Sequence, residues 1–341
     1  MKRILLIGAT GSLGSQTLDI IARYRDEFQI VGISADKNAE KLIELADRFQ
    51  VPKLYLNTTR LSEERAISSE LDFLQEPIDL LMLLDHGLQS HHLCLEAIAR
   101  GIPLAIANKE LLIVHGQDIC YLAQEMQVPL IPLDSEHNAL YQLLQGKRSG
   151  DVRRVILTAS GGPFRDRSYA ELEKVGIKEV LQHPNWRMGA KTTVDSATLV
   201  NKAYEVIETA HLFDLSLDQI EVRLHPESII HAIVEYHDGT SQMLAYPPDM
   251  DYPLAHALFH PSRAPIGIDT RAGELNFDQP LHFQSLEAGR FPCFDFVLKI
   301  AREAPQSLLQ LVQNDERIVK DFLNNEIGFH DILAGLKENI L

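Results

Sequence analysis

Two groups of acidic residues in this chain of 341 residues are spaced so that their carboxylates could share a metal ion. Asp134 and Glu136 stand at the end of an apolar run, and in extended backbone such side chains share a face. Asn201, Glu205 and Glu208 follow at i, i+4 and i+7, one face of a helix. Carboxylates gathered at one point need a cation, and oxygen ligands suit Mg²⁺ or Mn²⁺. On spacing alone, solvated surface acids are the stronger interpretation.

Two segments offer donors for an anion such as a phosphate group. Residues 158–162, Thr-Ala-Ser-Gly-Gly, follow a predicted strand, and successive glycine amides can form a concave anion nest. Ser196, Asn201 and Lys202 add a hydroxyl, an amide and an ammonium group near the start of a predicted helix. Asp195 or Ser196 acting as a plain helix N-cap explains that start without any function.

The only tryptophan, Trp186, lies between these two segments, in the run His-Pro-Asn-Trp-Arg-Met-Gly over 183–189. A tryptophan among proline, asparagine and glycine suggests a flap that closes over a ligand. A loop aromatic packed on the core is an equally good interpretation of the same pattern.

A glycine-rich turn follows the first predicted strand and opens a helix. Gly8, Gly11 and Gly14 have the spacing G-x-x-G-x-x-G, one residue longer than the common dinucleotide-binding motif. Glycines let the backbone approach a pyrophosphate at a helix N-terminus, and Thr10 and Ser12 add hydroxyl donors. The position directly after the first strand favours nucleotide binding over a turn without a ligand.

The end of the second predicted strand bears on the choice between NADH and NADPH. Asp36 would hold a ribose 2′-hydroxyl and repel a 2′-phosphate, whereas Lys37 and Asn38 would bind that phosphate. Asp36 pointing to solvent is a third interpretation, so the cofactor stays undecided at this point.

The elements that must position these residues follow a βαβ pattern over the first 133 residues, which predicts a parallel sheet. The predicted strands are Arg3–Ile7, Gln29–Ile33, Lys53–Leu56, Asp79–Leu84, Pro103–Ala107 and Pro129–Leu133. The predicted helices are Leu13–Tyr24, Ala39–Phe49, His91–Ala99 and Leu111–Met126. Beyond them we predict strands at Val155–Thr158, Glu221–Leu224 and Ile230–Tyr236, and a helix from Thr198 to Leu212. Seven of the sixteen prolines lie between Pro247 and Pro292, a density that argues against regular helix there.

Composition excludes several classes of protein. Lys+Arg 32 against Asp+Glu 48 gives a formal charge of −16, which repels nucleic acids. No apolar run approaches the roughly 18 residues of a membrane helix, and the N-terminal apolar run is too short for a signal peptide. The three cysteines are far apart and have no metal-ligand spacing, which indicates a reducing compartment. We therefore expect a cytoplasmic protein without nucleic-acid or membrane partners.

Taken together, the motifs resemble those of the 1-deoxy-D-xylulose 5-phosphate reductoisomerase family. The matching segments are Gly-Ala-Thr-Gly-Ser-Leu-Gly (8–14), Ala-Asn-Lys-Glu (107–110), Leu-Asp-Ser-Glu-His-Asn-Ala (133–139), Ser-Gly-Gly-Pro-Phe (160–164), His-Pro-Asn-Trp (183–186), Met-Gly (188–189), Val-Asp-Ser-Ala-Thr (194–198) and Asn-Lys (201–202) with Glu205. The resemblance covers residues 1–57 and 103–260 well and the rest poorly.

The resemblance implies a role for each matching residue. The implied metal ligands are Asp134, Glu136 and Glu205. The implied catalytic residues are Lys109, Glu136, His183 and Glu205. The implied substrate contacts are Lys109, Ser135, Glu136, Ser160, His183, Trp186, Ser196, Asn201, Lys202 and Glu205. The implied cofactor contacts are Thr10, Gly11, Ser12, Leu13, Lys37, Asn38, Asn108, Glu110 and Gly189.

The family chemistry implied is an NADPH- and metal-dependent conversion of 1-deoxy-D-xylulose 5-phosphate, a sugar phosphate. Retro-aldol cleavage and recombination give a branched aldehyde, which hydride transfer reduces to 2-C-methyl-D-erythritol 4-phosphate in isoprenoid precursor synthesis. The metal, Mg²⁺ or Mn²⁺, would stabilise the developing oxyanion. The resemblance also implies a homodimer.

The implied fold is α/β, in four regions. They are a Rossmann-like NADPH-binding domain over 1–133, a central α/β catalytic domain over 134–258 with the flap at 183–191, a proline-rich linker over 259–290 and a short C-terminal helical region over 291–341. The sequence departs from the family pattern at Asp36, at residues 80–87, near 314–316 and in the length of the C-terminal region. These departures leave two alternatives: a divergent paralogue that uses another phosphorylated ketose or NADH, and a non-catalytic sensor of nucleotide or sugar phosphate.

Overall fold

The computed structural model describes residues 1–186, 188–265, 275 and 278–340. The chain divides into two compact units. Unit 1 holds Met1–Asn138 and a returning segment that starts at Met250, and unit 2 holds Ala139–Asp249 and the C-terminal helices. Each unit is built around its own sheet.

The strands follow one another in chain order as β1 Lys2–Ile7, β2 Phe28–Ala35, β3 Leu54–Leu56, β4 Leu80–Leu83, β5 Leu104–Ile106, β6 Leu130–Pro132, β7 Val152–Ala159, β8 Ile220–Leu224, β9 Ile230–Tyr236, β10 Ser241–Ala245 and β11 Gln284–Ser285. The α-helices are α1 Ser12–Arg23, α2 Ala39–Phe49, α3 His91–Ala99, α4 Lys109–Glu125, α5 Ser135–Leu144, α6 Ile177–Val180, α7 Ala190–Thr198, α8 Val200–Phe213, α9 Asp251–Phe259, α10 Pro292–Glu303, α11 Leu308–Leu323 and α12 Asp331–Leu336.

The sheet of unit 1 has six parallel strands in the order β3-β2-β1-β4-β5-β6. Ile4 to Ile7 of β1 and all four residues of β4 are almost completely buried, as expected for strands covered on both faces. The strands are added outward from β1 to β3 on one side and then from β4 to β6 on the other. Folds with this strand order bind dinucleotides at the point between β1 and β4 where the order changes side. The predicted Rossmann-like parallel sheet is confirmed.

The sheet of unit 2 is mixed, with the order β10-β9-β7-β8-β11. β7 pairs with β8 in parallel and with β9 antiparallel. The edge strands are both antiparallel to their neighbours, β10 to β9 and β11 to β8. Helices α7, α8, α10 and α11 pack against one another in the same unit. The C-terminal helices, predicted as a separate region over 291–341, are thus grouped with the central sheet.

The helix predicted from Thr198 to Leu212 is observed as α8, and a helix that was not predicted, α7, precedes it. Leu199 adopts a left-handed conformation with φ 59°, so α7 ends at Thr198 and α8 starts at Val200. Asp195 and Ser196 therefore lie inside α7, and the expectation that either caps the following helix is wrong. The threonines, valine and serine of α7 favour helix weakly, so the sequence pattern missed it; buried Thr193, Val194 and Ala197 pack it in place.

The proline-dense region contains a regular helix, α9, contrary to expectation. Pro253 occupies its first turn, where backbone N–H groups have no helical partner in any case. The rings of Tyr24 and Phe28 meet Phe259 edge-on at 5.2 and 5.0 Å, and Arg23 pairs with Asp251 at 2.8 Å. These contacts place α9 in unit 1, although it was predicted to belong to the region 134–258.

The predicted linker over 259–290 is described only in part, because residues 266–274, 276 and 277 lie outside the described residues. Within it, β11 adds an edge strand to the sheet of unit 2, where Gln284 is paired with Leu224. Among the helices the structure describes, none is both long and apolar enough to cross a membrane.

Candidate active site

The glycine-rich turn of unit 1 joins β1 to α1 under tight steric limits. Gly8 has φ +85°, and a Cβ there would stand 2.8 Å from the backbone of Leu84 and Asp85. A Cβ on Gly14 would lie 2.5 Å from the carbonyl oxygens of Gly8 and Ala9. Side chains are therefore excluded at both positions, and the start of α1 stays open to an anion.

The implied cofactor residues Thr10, Gly11, Ser12 and Leu13 all lie at this N-terminus of α1. The Lys41 ammonium donates to the carbonyl oxygen of Thr10 at 2.9 Å and to Ser15 Oγ at 3.1 Å. This lysine places a positive charge beside the glycine-rich turn, and the sequence analysis did not predict that charge. Its position in α2, one helical turn after Lys37, was the available signal.

The end of β2 places Asp36 and Lys37 in solvent. Their side chains are 57% and 79% exposed and pair at 3.4 Å, and Asn57 donates to Asp36 at 3.4 Å. Asn38 caps α2, because its Oδ1 accepts from the backbone N–H of Lys41 at 3.0 Å. Both charged groups thus remain accessible to solvent.

Asn108 and Glu110, which the resemblance assigns to the cofactor, lie at the N-terminus of α4. Asn108 is fully buried, caps α4, and donates to Asp85 Oδ1 at 3.2 Å and to the Gly87 carbonyl at 2.9 Å. We expect it to shape the turn after β4 rather than to contact a cofactor directly. Glu110 Oε2 is buried and has no hydrogen-bond partner among the described residues, so it can accept from an incoming group.

Asp85, at the carboxyl end of β4, is a second residue that the sequence reasoning left without a role. It accepts hydrogen bonds from Ser90 Oγ and Asn108, and burial raises its pKa. Burial together with the charge of Asp85 also raises the pKa of Glu70 to about 7. The side of the sheet next to the glycine turn therefore carries two carboxyl groups with a reduced tendency to ionise.

The acidic pair of unit 1 lies at the start of a helix, because β6 ends at Pro132 and α5 begins at Ser135. The expectation of extended backbone through Asp134 and Glu136 is therefore wrong. Their carboxylates nevertheless offer oxygens within 4.8 Å of each other. Lys109, the first residue of α4, donates to Asp134, and Ser135 Oγ donates to Glu136. Lys109, Asp134, Ser135 and Glu136 are thus brought together at the carboxyl ends of the strands, where α/β sheets bind ligands.

In unit 2, His183 and the loop after β7 lie together where the sequence predicts an anion, and we call residues 160–162, His183 and Ser196 the anion subsite. The backbone N–H groups of Asn185 and Trp186 donate to His183 Nδ1 at 3.2 and 2.9 Å. Nε2 therefore carries the proton and donates to Ser160 Oγ at 3.1 Å, and Ser160 also accepts from the Gly162 N–H at 3.2 Å. Burial lowers the pKa of His183 to about 4, which keeps the ring neutral.

The wall opposite Ser160 in this subsite is α7. Gly162 has φ +64°, and a Cβ there would stand 2.7 Å from the carbonyl oxygen of Ser196. The loop after β7 and α7 therefore approach as closely as backbone atoms allow. Because Ser160 accepts two hydrogen bonds, its own O–H remains to donate to an anion.

Helix α8 carries the remaining residues of unit 2 on one face, as predicted. Glu205 is 2% exposed and accepts from Asn201 Nδ2 at 2.5 Å and from the Lys202 ammonium. Lys202 is 5% exposed, so a buried base accompanies a buried acid. A buried carboxylate held by its own helix neighbours is a rigid oxygen donor for a hard cation.

The residues around Trp186 are partly tied down. Asn185 donates to the Pro226 carbonyl and to Ser228 Oγ, both at 2.7 Å, and the Trp186 ring meets His231 edge-on at 6.2 Å. Gly189 caps the N-terminus of α7. Residue 187 of the predicted flap lies outside the described residues. The half-buried indole thus packs on a neighbour and borders the anion subsite, and closure of this segment over a ligand stays a prediction.

Comparison with known proteins finds matches along most of the chain. A family profile described as 1-deoxy-D-xylulose 5-phosphate reductoisomerase matches residues 4–116, and profiles of its C-terminal domain match 130–213 and 246–340. The last match extends the resemblance into a region where the sequence motifs are few.

Among curated relatives, the 1-deoxy-D-xylulose 5-phosphate reductoisomerase of Bacillus subtilis is 39% identical, over 96% of this chain and 89% of its own length. That of Thermoanaerobacter pseudethanolicus is 37% identical, over 100% of this chain and 92% of its own length. The Zymomonas mobilis enzyme in complex with NADPH superposes with TM-score 0.87 at 32% identity, covering 99% of this chain and 90% of that one. A DOX-P reductoisomerase in complex with NADPH, fosmidomycin and magnesium gives TM-score 0.88 at 30% identity with the same coverage.

Proposed function

Because the chain belongs to the 1-deoxy-D-xylulose 5-phosphate reductoisomerase family, we propose that it converts 1-deoxy-D-xylulose 5-phosphate to 2-C-methyl-D-erythritol 4-phosphate, using NADPH and a divalent metal ion. The observation that carries this proposal is the set of three carboxylates, Asp134 and Glu136 in unit 1 and Glu205 in unit 2, each already held by a neighbouring donor. Carboxylate oxygens alone are the donor set of a hard cation, so the residues fit Mg²⁺ or Mn²⁺.

We assign the metal to Asp134, Glu136 and Glu205. When bound, the metal supplies Lewis acidity toward the substrate oxygens and NADPH supplies the hydride. Lys109 and Lys202 offset part of the negative charge of these carboxylates, since their ammonium groups contact Asp134 and Glu205. Their positive charge also attracts an anionic substrate locally, although the net charge of the chain is negative.

The phosphate group of the substrate is assigned to Ser160, Ser196, Asn201 and Lys202. The neutral His183 and the Gly162 N–H both donate to the Ser160 hydroxyl, which then donates outward to the phosphate. Binding the remote phosphate orients the reacting carbons, and Trp186 shields them from water. The turn at Thr10–Leu13, with Lys37, Asn38, Glu110 and Gly189, is assigned to NADPH. The homodimer and the cytoplasmic location stay predictions.

A spectrophotometric assay of the enzyme's own NADPH oxidation tests the proposal. NADPH oxidation is followed with 1-deoxy-D-xylulose 5-phosphate and Mg²⁺ or Mn²⁺, beside NADH and beside EDTA. We expect metal-dependent turnover that EDTA abolishes and added metal restores. Turnover with NADH alone would make Asp36 the determinant of cofactor choice. Binding of ligand without any turnover, followed by Trp186 fluorescence, would support the sensor instead.

Glu205→Gln is the matching variant, with Glu208→Gln as its control, because both carboxylates are buried on α8. We expect Glu205→Gln to lower kcat/KM at least ~100-fold and to raise the metal concentration needed for half-maximal rate. Glu208→Gln should keep most of the turnover. Equal losses in both variants would mean that Glu205 serves the packing of α8 and not a metal.

A further inference from the structure

A charged contact inside unit 2 ties the C-terminal helix α11 to helix α7. The Lys191 ammonium, at the start of α7, lies 2.6 Å from Asp195 Oδ2 and 2.6 Å from Asp315 Oδ2. Asp195 is in the same helix, whereas Asp315 comes from α11 and is only 1% exposed. A carboxylate buried this deeply is stable when a cation compensates it, and Lys191 is that cation.

Helix α11 provides a fixed support for this contact. Asn314, the neighbour of Asp315, donates to the carbonyl oxygens of Leu336 at 3.1 Å and Glu338 at 2.6 Å. The C-terminal region also reaches the segment that follows the loop after β7. The ring of Phe329 meets Phe164 edge-on at 5.6 Å, and His330 Nε2 lies 2.8 Å from the Tyr169 carbonyl.

Helix α7 is one wall of the anion subsite, and its placement has little tolerance. Ser196 lies in α7, and its carbonyl oxygen already touches the space that a Cβ on Gly162 would fill. A shift of α7 would therefore change the distance between Ser196 and residues 160–162. Lys191 lies in the first turn of α7 and is also the last residue of the predicted flap. A contact at Lys191 therefore fixes both the helix and the end of the flap.

We propose that Asp315 is a positioning residue for the anion subsite: through Lys191 it holds α7, and with it Ser196, at the distance from residues 160–162 that binding of a phosphate group requires. The inference rests on the proposed function in that the anion is taken to be the phosphate of the substrate. It assigns to the C-terminal helix an effect on substrate binding without any contact to the substrate.

The experiment compares Asp315→Asn with Asp321→Asn in the full-length enzyme. Asp321 is on the same helix and pairs with Arg317 at 3.5 Å, so the two variants make the same chemical change at different places. Inorganic phosphate is titrated while Trp186, the only tryptophan, reports by fluorescence, and KM is measured for 1-deoxy-D-xylulose 5-phosphate and for NADPH.

We expect Asp315→Asn to raise the phosphate Kd and the sugar phosphate KM by on the order of tenfold, and to leave the NADPH KM and the Asp321→Asn values near wild type. A purely structural role would lower the amount of active enzyme without changing either constant. Lys191→Gln should give at least the same shift, since it also removes the contact with Asp195, and adding Asp315→Asn to it should shift the constants no further, because the Lys191–Asp315 contact is already gone.

Equal phosphate Kd in Asp315→Asn and Asp321→Asn would overturn the proposal. If Asp315→Asn does not fold, Lys191→Gln decides in the same way, since an unchanged phosphate Kd there also overturns it. Wild-type enzyme that neither binds phosphate nor turns over would refute the proposed function, which is a different outcome from wild-type binding that Asp315→Asn leaves unaffected.

Discussion

His183 determines which way Ser160 can donate, and its own charge state follows from burial. Two backbone N–H groups donate to Nδ1, so the imidazole must be neutral with its proton on Nε2. Desolvation lowers the pKa of His183 to about 4 and protects this state at neutral pH. A protonated ring would lose both hydrogen bonds that Nδ1 accepts from Asn185 and Trp186, whereas its Nε2–H would keep the contact with Ser160.

This charge state makes the fold sensitive to acid. Between pH about 4 and the ordinary value of 6.5, the unfolded chain binds a proton at His183 that the folded chain does not. The contribution to stability is therefore complete above pH 6.5 and is lost as the pH falls toward 4. We expect His183→Asn to reduce the difference in Tm between pH 7 and pH 5.

The exposed His237 supplies the matched control, and His237→Asn should leave that difference unchanged. Some acid sensitivity should persist in His183→Asn, because burial also lowers the pKa of His256 to about 4. A Tm difference in His183→Asn as large as in wild type would contradict the neutral buried state of the ring.

Helix α7 is the element on which the anion subsite depends. Its sequence favours helix weakly, and it ends at a left-handed residue, so contacts with other elements hold it. One of these is the backbone approach of Gly162, and another is the pair that Lys191 forms with Asp315. Because such contacts join residues far apart in the chain, the position of α7 responds to changes outside the site.

Gly162→Ala tests the close approach to α7. The new Cβ would meet the Ser196 carbonyl in a left-handed backbone, so we expect lower Tm and a higher KM for the sugar phosphate. Gly146→Ala is the control, since Gly146 has φ +69° and nothing within 4 Å of its Cβ position. It should lose only the ~1–2 kcal/mol of left-handed strain, with KM unchanged. An equal effect of both substitutions on KM would mean that α7 has room to move.

At the level of the whole molecule, each unit is assembled from two separate stretches of chain. Unit 1 includes α9, which lies in the segment that starts at Met250. Unit 2 includes the C-terminal helices, which follow that segment in the chain. Leu254 and Leu258 of α9 are completely buried, so unit 1 completes its core with residues far in sequence from the glycine-rich turn. The stability of unit 1 thus depends on a segment outside its first 138 residues.

Leu258→Ala measures this dependence. Removing a fully buried leucine should lower the free energy of unfolding by about 2–5 kcal/mol. Leu309→Ala, at a leucine that is 41% exposed, should cost far less. Urea unfolding gives the energies, and hydrogen exchange should show the loss in the amides of β1 and α1. Faster exchange confined to unit 2 would contradict the placement of α9.

Much of the fold was predictable from local patterns, and the family motifs supplied the candidate site residues. Buried strands, amphipathic helices such as Ala39–Phe49 and the glycine turn are encoded by neighbours within a few residues of each other. The motifs also gave the family, with Asp134, Glu136 and Glu205 as metal-ligand predictions. Those local signals need no knowledge of the fold, because hydrophobic periodicity and turn chemistry act over one or two turns of chain.

The break at Leu199, the helix α9 within a proline-rich stretch, the hydrogen bonds from Asn108 to Asp85 and Gly87, and the pair between Lys191 and Asp315 were not predictable in this way. Each depends on which distant segments pack together: Phe259 on Tyr24, or α11 on α7. Burial and ion pairing stabilise the chain only once it has folded. Lys191 and Asp315 are 124 positions apart, so they become partners only when packing brings them together.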